Sequence, residues 1–250
     1  ALYYGFEPHK SPDIKKMDLD NAKNLLEGDS IEENDTDKKE LPLHVEEKIA
    51  LLRQYTEEEM HTKSQPIMLY FKEPFRGSIK KGASYNRYCD LEILGHSRSI
   101  AEATLVQTAK AMLNEEGYEN IGIEINSIGD RESINKFTRD LTSHYKKNMN
   151  DMHAECRQLL KKDPFELLSC QNDKCKKIND SAPKSMDFLS EQSRVHFQEV
   201  LEYLESLGIP YRINNSLIGN RKYCTETIFT IIDLNYDKKP KSQRVLAVGV

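Results

Sequence analysis

Residues 120–129, NIGIEINSIG, alternate apolar and polar side chains as a strand with two unlike faces does. Strand-like sequence does not return until PYRINNSLIGNRKYCTETIFTIIDL, from residue 210 onward. The residues between are of another kind. Residues 131–162 form a long polar stretch of helical character, cut off by Pro164. Residues 163–189 read as loop, and SEQSRVHFQEVLEYLESLGI then places His196, Phe197, Val200, Leu201 and Leu204 on one helical face. A sheet interrupted by that much helix predicts an α+β domain carrying a helical insertion.

The earlier residues supply the rest of the sheet. PIMLYFKEPF (66–75) is an apolar, aromatic run of strand length, and YCDLEILG (88–95) alternates and ends on glycine. The Gly- and Lys-rich RGSIKKGASYNR between them fits a long hairpin loop. SIAEATLVQTAKAMLNEEGY predicts a helix capped at Ser99, with Glu102 three residues on and an apolar stripe through Leu105, Ala109 and Met112. Residues 43–60 also have helical spacing, whereas residues 27–40 are almost all polar and read as solvated loop. No internal repeat is visible.

Composition excludes some classes. No stretch approaches eighteen consecutive apolar residues, so no membrane-spanning helix is expected. The opening ALYYGFEPHKSP lacks the basic and apolar regions of a secretory signal. Five cysteines in 250 residues is too sparse for a disulfide scaffold and points to the cytoplasm. A net charge of −5 gives no global drive toward nucleic acid, although it leaves room for a local basic face.

LYFKEPFRGSIKKGASYNRYCDLEILG resembles motif 2 of the class II aminoacyl-tRNA synthetases: strand, Phe-Arg, long loop, strand. AEATLVQTAKAMLNEEGYENIGIEINSIGDRES is similar to the helix and strand next after motif 2 in histidyl-tRNA synthetases. CRQLLKKDPFELLSCQN, SAPKSMDFLSEQSRVHF and LGIPYRINNSLI resemble that family's insertion domain and its return to the core. The resemblance covers nearly the whole chain in the family's order. It implies a mostly antiparallel class II core over residues 1–129 and 194–250, with the insertion at 130–193. Motif 3 and an anticodon-binding domain are then absent from these residues. It further implies histidine activation with ATP and Mg2+, tRNA as partner and a homodimer.

Such chemistry needs arginines, whose planar forks hold phosphate oxygens bidentately and stay charged. By the resemblance, Arg76 is the motif 2 arginine on the α-phosphate and substrate carboxylate. Glu92 falls where the family keeps an acid for the α-amino group of histidine. Glu46, in LHVEE, lies near the family's LRPE glutamate, with His44 and Lys48 where arginine and threonine are usual; a plain exposed helical glutamate is the alternative. Tyr88 replaces a glutamine bordering the histidine pocket, and Ser78 replaces the glutamate that helps bind adenine. LIGNRKYCTETIF stands where the family reads close to LVRGLDYYxRTVFE. The arginine position is therefore Gly219, and the paired tyrosines are Tyr223 and Cys224. Arg221, two residues on, is the nearest substitute for the missing charge, or else part of a solvated loop with Lys222.

These departures predict a degenerate site that still takes an ATP- or histidine-like ligand, tRNA or a protein partner. The alternatives are an active, divergent histidine–tRNA ligase and a regulatory subunit like that of ATP phosphoribosyltransferase. Lys80 and Lys81 could meet the acceptor end of a tRNA, or simply be solvated. Cys170 and Cys175 have C-x4-C spacing, but Ser190 and Ser193 stand where a second zinc-binding pair would lie, with Cys156 and His196 as substitutes only at long range. No structural metal is expected.

Overall fold

The structure is a computed structural model and describes residues 1–26, 45–72, 89–170, 172–236 and 244–250. Arg76, Ser78, Lys80, Lys81 and Tyr88, with the expected loop at 27–40, lie outside the described residues. The chain divides into two compact units, residues 1–120 with 233–247, and residues 121–232 with 248–250.

In the first unit the sheet order is β1 (Glu7–Pro8), β2 (Ile67–Phe71) and β3 (Asp90–Leu94). The long β2–β3 pairing is antiparallel, with Leu69 opposite Glu92, whereas the two-residue β1 joins β2 in parallel. Helices α1 (Lys16–Leu26) and α2 (Val45–Glu57) pack together. α2 buries Val45, Ala50 and Leu51, and the latter two join Leu69 and Phe71 of β2 in one core. The α1–α2 contact is pinned by Arg53, which donates from Nε to Asp18 Oδ1 at 3.1 Å and from Nη2 to the Asp13 carbonyl at 2.8 Å. Helix α3 (Ile100–Glu115) follows β3. Ser99 does stand at its N-cap, but in helical conformation and with no capping bond from its hydroxyl, so the expected capping box is not made.

The second unit is built on β4 (Ile121–Gly129). The next helical residues resolve into α4 (Arg131–Lys147), α5 (Ala154–Lys162) and α6 (Asp173–Asn179), and α7 (Glu191–Ser206) precedes the returning strands β5 (Arg212–Ile213) and β6 (Glu226–Asp233); the last strand, β7 (Val245–Gly249), has residues in both units. The sheet order is β5-β4-β6-β7, with β4 and β5 parallel. The expected single helical stretch over 131–162 is broken: Met152 and His153 take extended backbone between a short 3-10 turn at Met149–Asp151 and α5. The expected loop at 163–189 is largely helical, comprising the 3-10 segments Pro164–Ser169 and Ser185–Phe188 as well as α6. Local caps explain how such short pieces form. Asp163 accepts from the Phe165 N–H and Asn172 from the Lys174 N–H, satisfying donors that have no partner within the turn. Packing does the remainder: Phe137, Leu141 and Tyr145 of α4 meet Cys156, Phe165, Leu167 and Ile178 in a separate hydrophobic core.

Candidate active site

Two acids in DLEIL, Asp90 and Glu92, are two residues apart on β3 and therefore share a face of the strand. α2 brings Lys48 to that face. Its ammonium donates to Asp90 at 3.1 Å and to Glu92 in a still closer contact. The three side chains are 28%, 19% and 15% exposed, respectively, so the charges are only partly screened by solvent. Burial alone would pull Lys48 down; the carboxylates of Glu92 and Asp90 outweigh it and hold the ammonium charged above its ordinary range. Burial and the neighbouring Asp90 raise Glu92, and Lys48 offsets them only in part. One cation thus serves two acids. Glu92, the acid expected to receive an amino group, receives one from its own chain. Glu46 stands half-buried in the first turn of α2.

The second unit holds the 217–224 turn. Asn214 donates its backbone N–H to the Ile125 carbonyl at 3.0 Å, and fully buried Asn126 donates its side-chain amide to the Leu217 carbonyl at 3.0 Å. Asn220 closes the turn: its carbonyl accepts from Cys224 N–H at 2.8 Å and its side chain from Lys222 N–H at 2.9 Å. A Cβ added at Gly219 would lie 2.9 Å from Ile228 Cδ1 and 3.1 Å from Cys224 Sγ, inside normal contact distance. Any side chain at the position that resembles an arginine site would require Ile228 and Cys224 to give way. Cys224 is buried, and burial pushes its thiol up to about 11, as befits a packing residue.

Arg221 is only partly exposed. It donates from Nη1 to Asp163 Oδ2 at 3.0 Å and lies over the Phe165 ring, 3.8 Å from the centroid. Its charge is committed to the 163–165 segment. Tyr223 is half-buried in the same turn. The structure thus places Glu46 and Glu92 in the first unit and Arg221 and Tyr223 in the second. Sequence reasoning missed Lys48, Asp90, Asp163 and Phe165 as partners of these residues. The same-face spacing of Asp90 and Glu92 was a readable signal for a cation; its source, 42 to 44 residues away, was not. One group among the described residues could hold a metal ion: Cys156, Cys170 and Cys175, whose sulfurs lie within 4.8 Å of one another.

No protein-family model matches the chain. The chain is 31% identical over 198 residues to the histidine–tRNA ligase of Listeria monocytogenes serotype 4b, covering 78% of this chain and 47% of that protein. It is 26% identical over 246 residues to the histidine–tRNA ligase of Staphylococcus aureus strain JH9, covering 94% and 59%. Among solved structures, apo Staphylococcus aureus histidyl-tRNA synthetase aligns with a TM-score of 0.62 at 23% identity, over 95% of this chain and 56% of that one. A Bacillus halodurans C protein described as an ATP phosphoribosyltransferase regulatory subunit/histidyl-tRNA synthetase aligns at 0.55 and 12% identity, over 94% and 66%. The chain spans about half the length of the curated relatives it matches. No helix among the described residues is long and apolar enough to cross a membrane. With a mixed α/β fold like that of the synthetases and this extent of shared sequence, the chain is a divergent and partial relative of the histidyl-tRNA synthetase family.

Proposed function

We propose that this is a histidyl-tRNA synthetase-like protein whose amino-acid seat is filled by its own Lys48, so that it does not aminoacylate efficiently. The observation that carries the reading is the ion pair from Lys48 to Glu92 and Asp90. Histidine entering the seat would have to displace the lysine or place a second ammonium beside it. Two like charges about 4 Å apart near a protein surface repel by about 4 kcal/mol, and relaxation recovers only part of that. Gly219, crowded by Cys224 and Ile228, leaves the 217–224 turn without the second phosphate-binding arginine that the resemblance implies beside Arg76. Removing one donor that stabilises a transition state commonly costs about 10²–10³ in rate.

ATP with Mg2+ is what a working core of this family uses. The described residues do not fit it, because the arginine position is a glycine crowded by Ile228 and Cys224 and Arg221 is held by Asp163. The role that remains is binding: a histidine- or nucleotide-like ligand, a tRNA, or a protein partner, with the helical residues 130–193 acting as the family's insertion domain. A homodimer and a cytoplasmic location fit the same reading.

ATP–pyrophosphate exchange driven by histidine, measured on the full-length protein, tests it. Exchange indistinguishable from background is expected. Robust exchange would establish instead an active, divergent histidine–tRNA ligase.

A further inference from the structure

Cys156 lies in α5, Cys170 directly follows the 3-10 segment Pro164–Ser169, and Cys175 lies in α6. Three separate segments therefore bring one thiol each to a common point. The sulfurs lie within 4.8 Å of one another, and Cys156 and Cys170 are 3.3 Å apart. With metal–sulfur bonds of about 2.3 Å, three thiolates in a plane around one ion stand about 4.0 Å apart, and three corners of a tetrahedron about 3.8 Å. The observed spacing brackets both.

The scaffold around the thiols is fixed by hydrogen bonds that do not involve sulfur. Tyr145 donates its hydroxyl to Asn179 Oδ1 at 2.8 Å, and Asn179 donates from Nδ2 to the Leu167 carbonyl at 2.7 Å. Those bonds tie α4, α6 and the segment leading to Cys170 together, so the convergence of the three sulfurs does not rest on the thiol contact between Cys156 and Cys170 alone. Cys156 and Cys175 are buried, while Cys170 is half-exposed and gives the cluster an opening to solvent.

We propose that Cys156, Cys170 and Cys175 bind one thiophilic divalent cation, Zn2+ by class, as three thiolates with a water in the fourth position. Three S–H bonds give up their protons to solvent as three sulfur–metal bonds form, so binding strengthens as pH rises. Soft sulfur ligands select against Mg2+ and Ca2+, which require oxygen. The bound ion staples α5, the 164–170 segment and α6, stabilising a helical cluster whose pieces are too short to hold by helix propensity alone.

Titration of the reduced full-length protein with Co2+, followed by Zn2+, decides the matter. Expected is a thiolate-to-cobalt charge-transfer band that saturates at about one Co2+ per chain, is bleached by Zn2+, and is lost in Cys170→Ser and Cys175→Ser. Cys89→Ser, an exposed thiol outside the cluster, leaves the band unchanged. Cys170 is the least buried ligand, so C170S tests the site even if C175S fails to fold, with circular dichroism reporting the fold. No charge-transfer band in a folded, fully reduced wild type overturns the proposal. So does a band that survives in folded C170S.

Discussion

The guanidinium carbon of Arg221 stands over the Phe165 ring, 3.8 Å from its centroid, while one nitrogen reaches Asp163. A cation held by a ring and a carboxylate is a structural element: it fastens the 217–224 turn to the segment that opens the 3-10 turn at Pro164. Arg221→Ala is expected to lower stability by about 1–2 kcal/mol, combining the stacking and the partly exposed ion pair. Arg221→Lys keeps the charge but loses the planar stack, and should recover less than half of the loss. Urea denaturation of the three proteins measures this; a neutral Arg221→Ala would mean the contact contributes nothing.

Lys48→Thr should open the seat. Removing the ammonium leaves Glu92 beside Asp90 without a cation, and histidine's α-amino group supplies one. Calorimetric titration is expected to give histidine affinity at least tenfold above wild type. Glu92 sits above the usual carboxylate range, and loss of Lys48 raises it further. An ionised Glu92 is the form that holds an ammonium, so the gained affinity increases with pH through Glu92's titration. Equal affinity in wild type and variant would place the histidine seat away from Glu92.

Restoring an arginine at position 219 alone is expected to fail. Gly219→Ala already crowds Ile228 and Cys224, both buried, and should cost about 1–3 kcal/mol. Gly219→Arg should show the same penalty in thermal melts with no gain in pyrophosphate exchange. Adding Cys224→Ala should return part of the stability by clearing the sulfur 3.1 Å from the new Cβ.

Asp130 caps α4. It accepts from the Ser133 N–H at 2.8 Å and from the Ser190 hydroxyl at 2.7 Å, and these bonds hold its carboxyl below the ordinary value of 3.8. A carboxyl lowered in the folded state contributes stability that is complete above its unfolded value and is lost as pH falls through the folded one. Wild type should therefore lose stability below about pH 4, and Asp130→Asn, which still caps, should lose less over that interval. Urea midpoints across the acid range report the difference, and parallel profiles would count against it.

The long periodic elements were legible in the sequence. β4, α3 and α7 appear where their periodicity put them, and α7 buries Phe197, Val200 and Leu204 as the spacing requires. The short pieces were not. α6 spans only Asp173–Asn179, too few residues for a hydrophobic period to stand out, and it exists because Asn172 caps it and Ile178 and Cys175 pack into the core. The site was half legible. The resemblance singled out Glu92 as an acid for an amino group of the substrate; that Lys48 of α2 would stand against it could not be read from the sequence. Likewise Cys170 and Cys175 announced themselves by spacing, whereas Cys156 joins them because α5 folds back onto that segment.

A ligand tethered to its own receptor answers to different rules from one that diffuses. Lys48 and Glu92 are 44 residues apart in the chain, yet the fold holds the amine beside the carboxylate whatever the cell contains. On the reading proposed above, swings in amino-acid supply leave the charge balance around Glu92 untouched until α2 parts from β3.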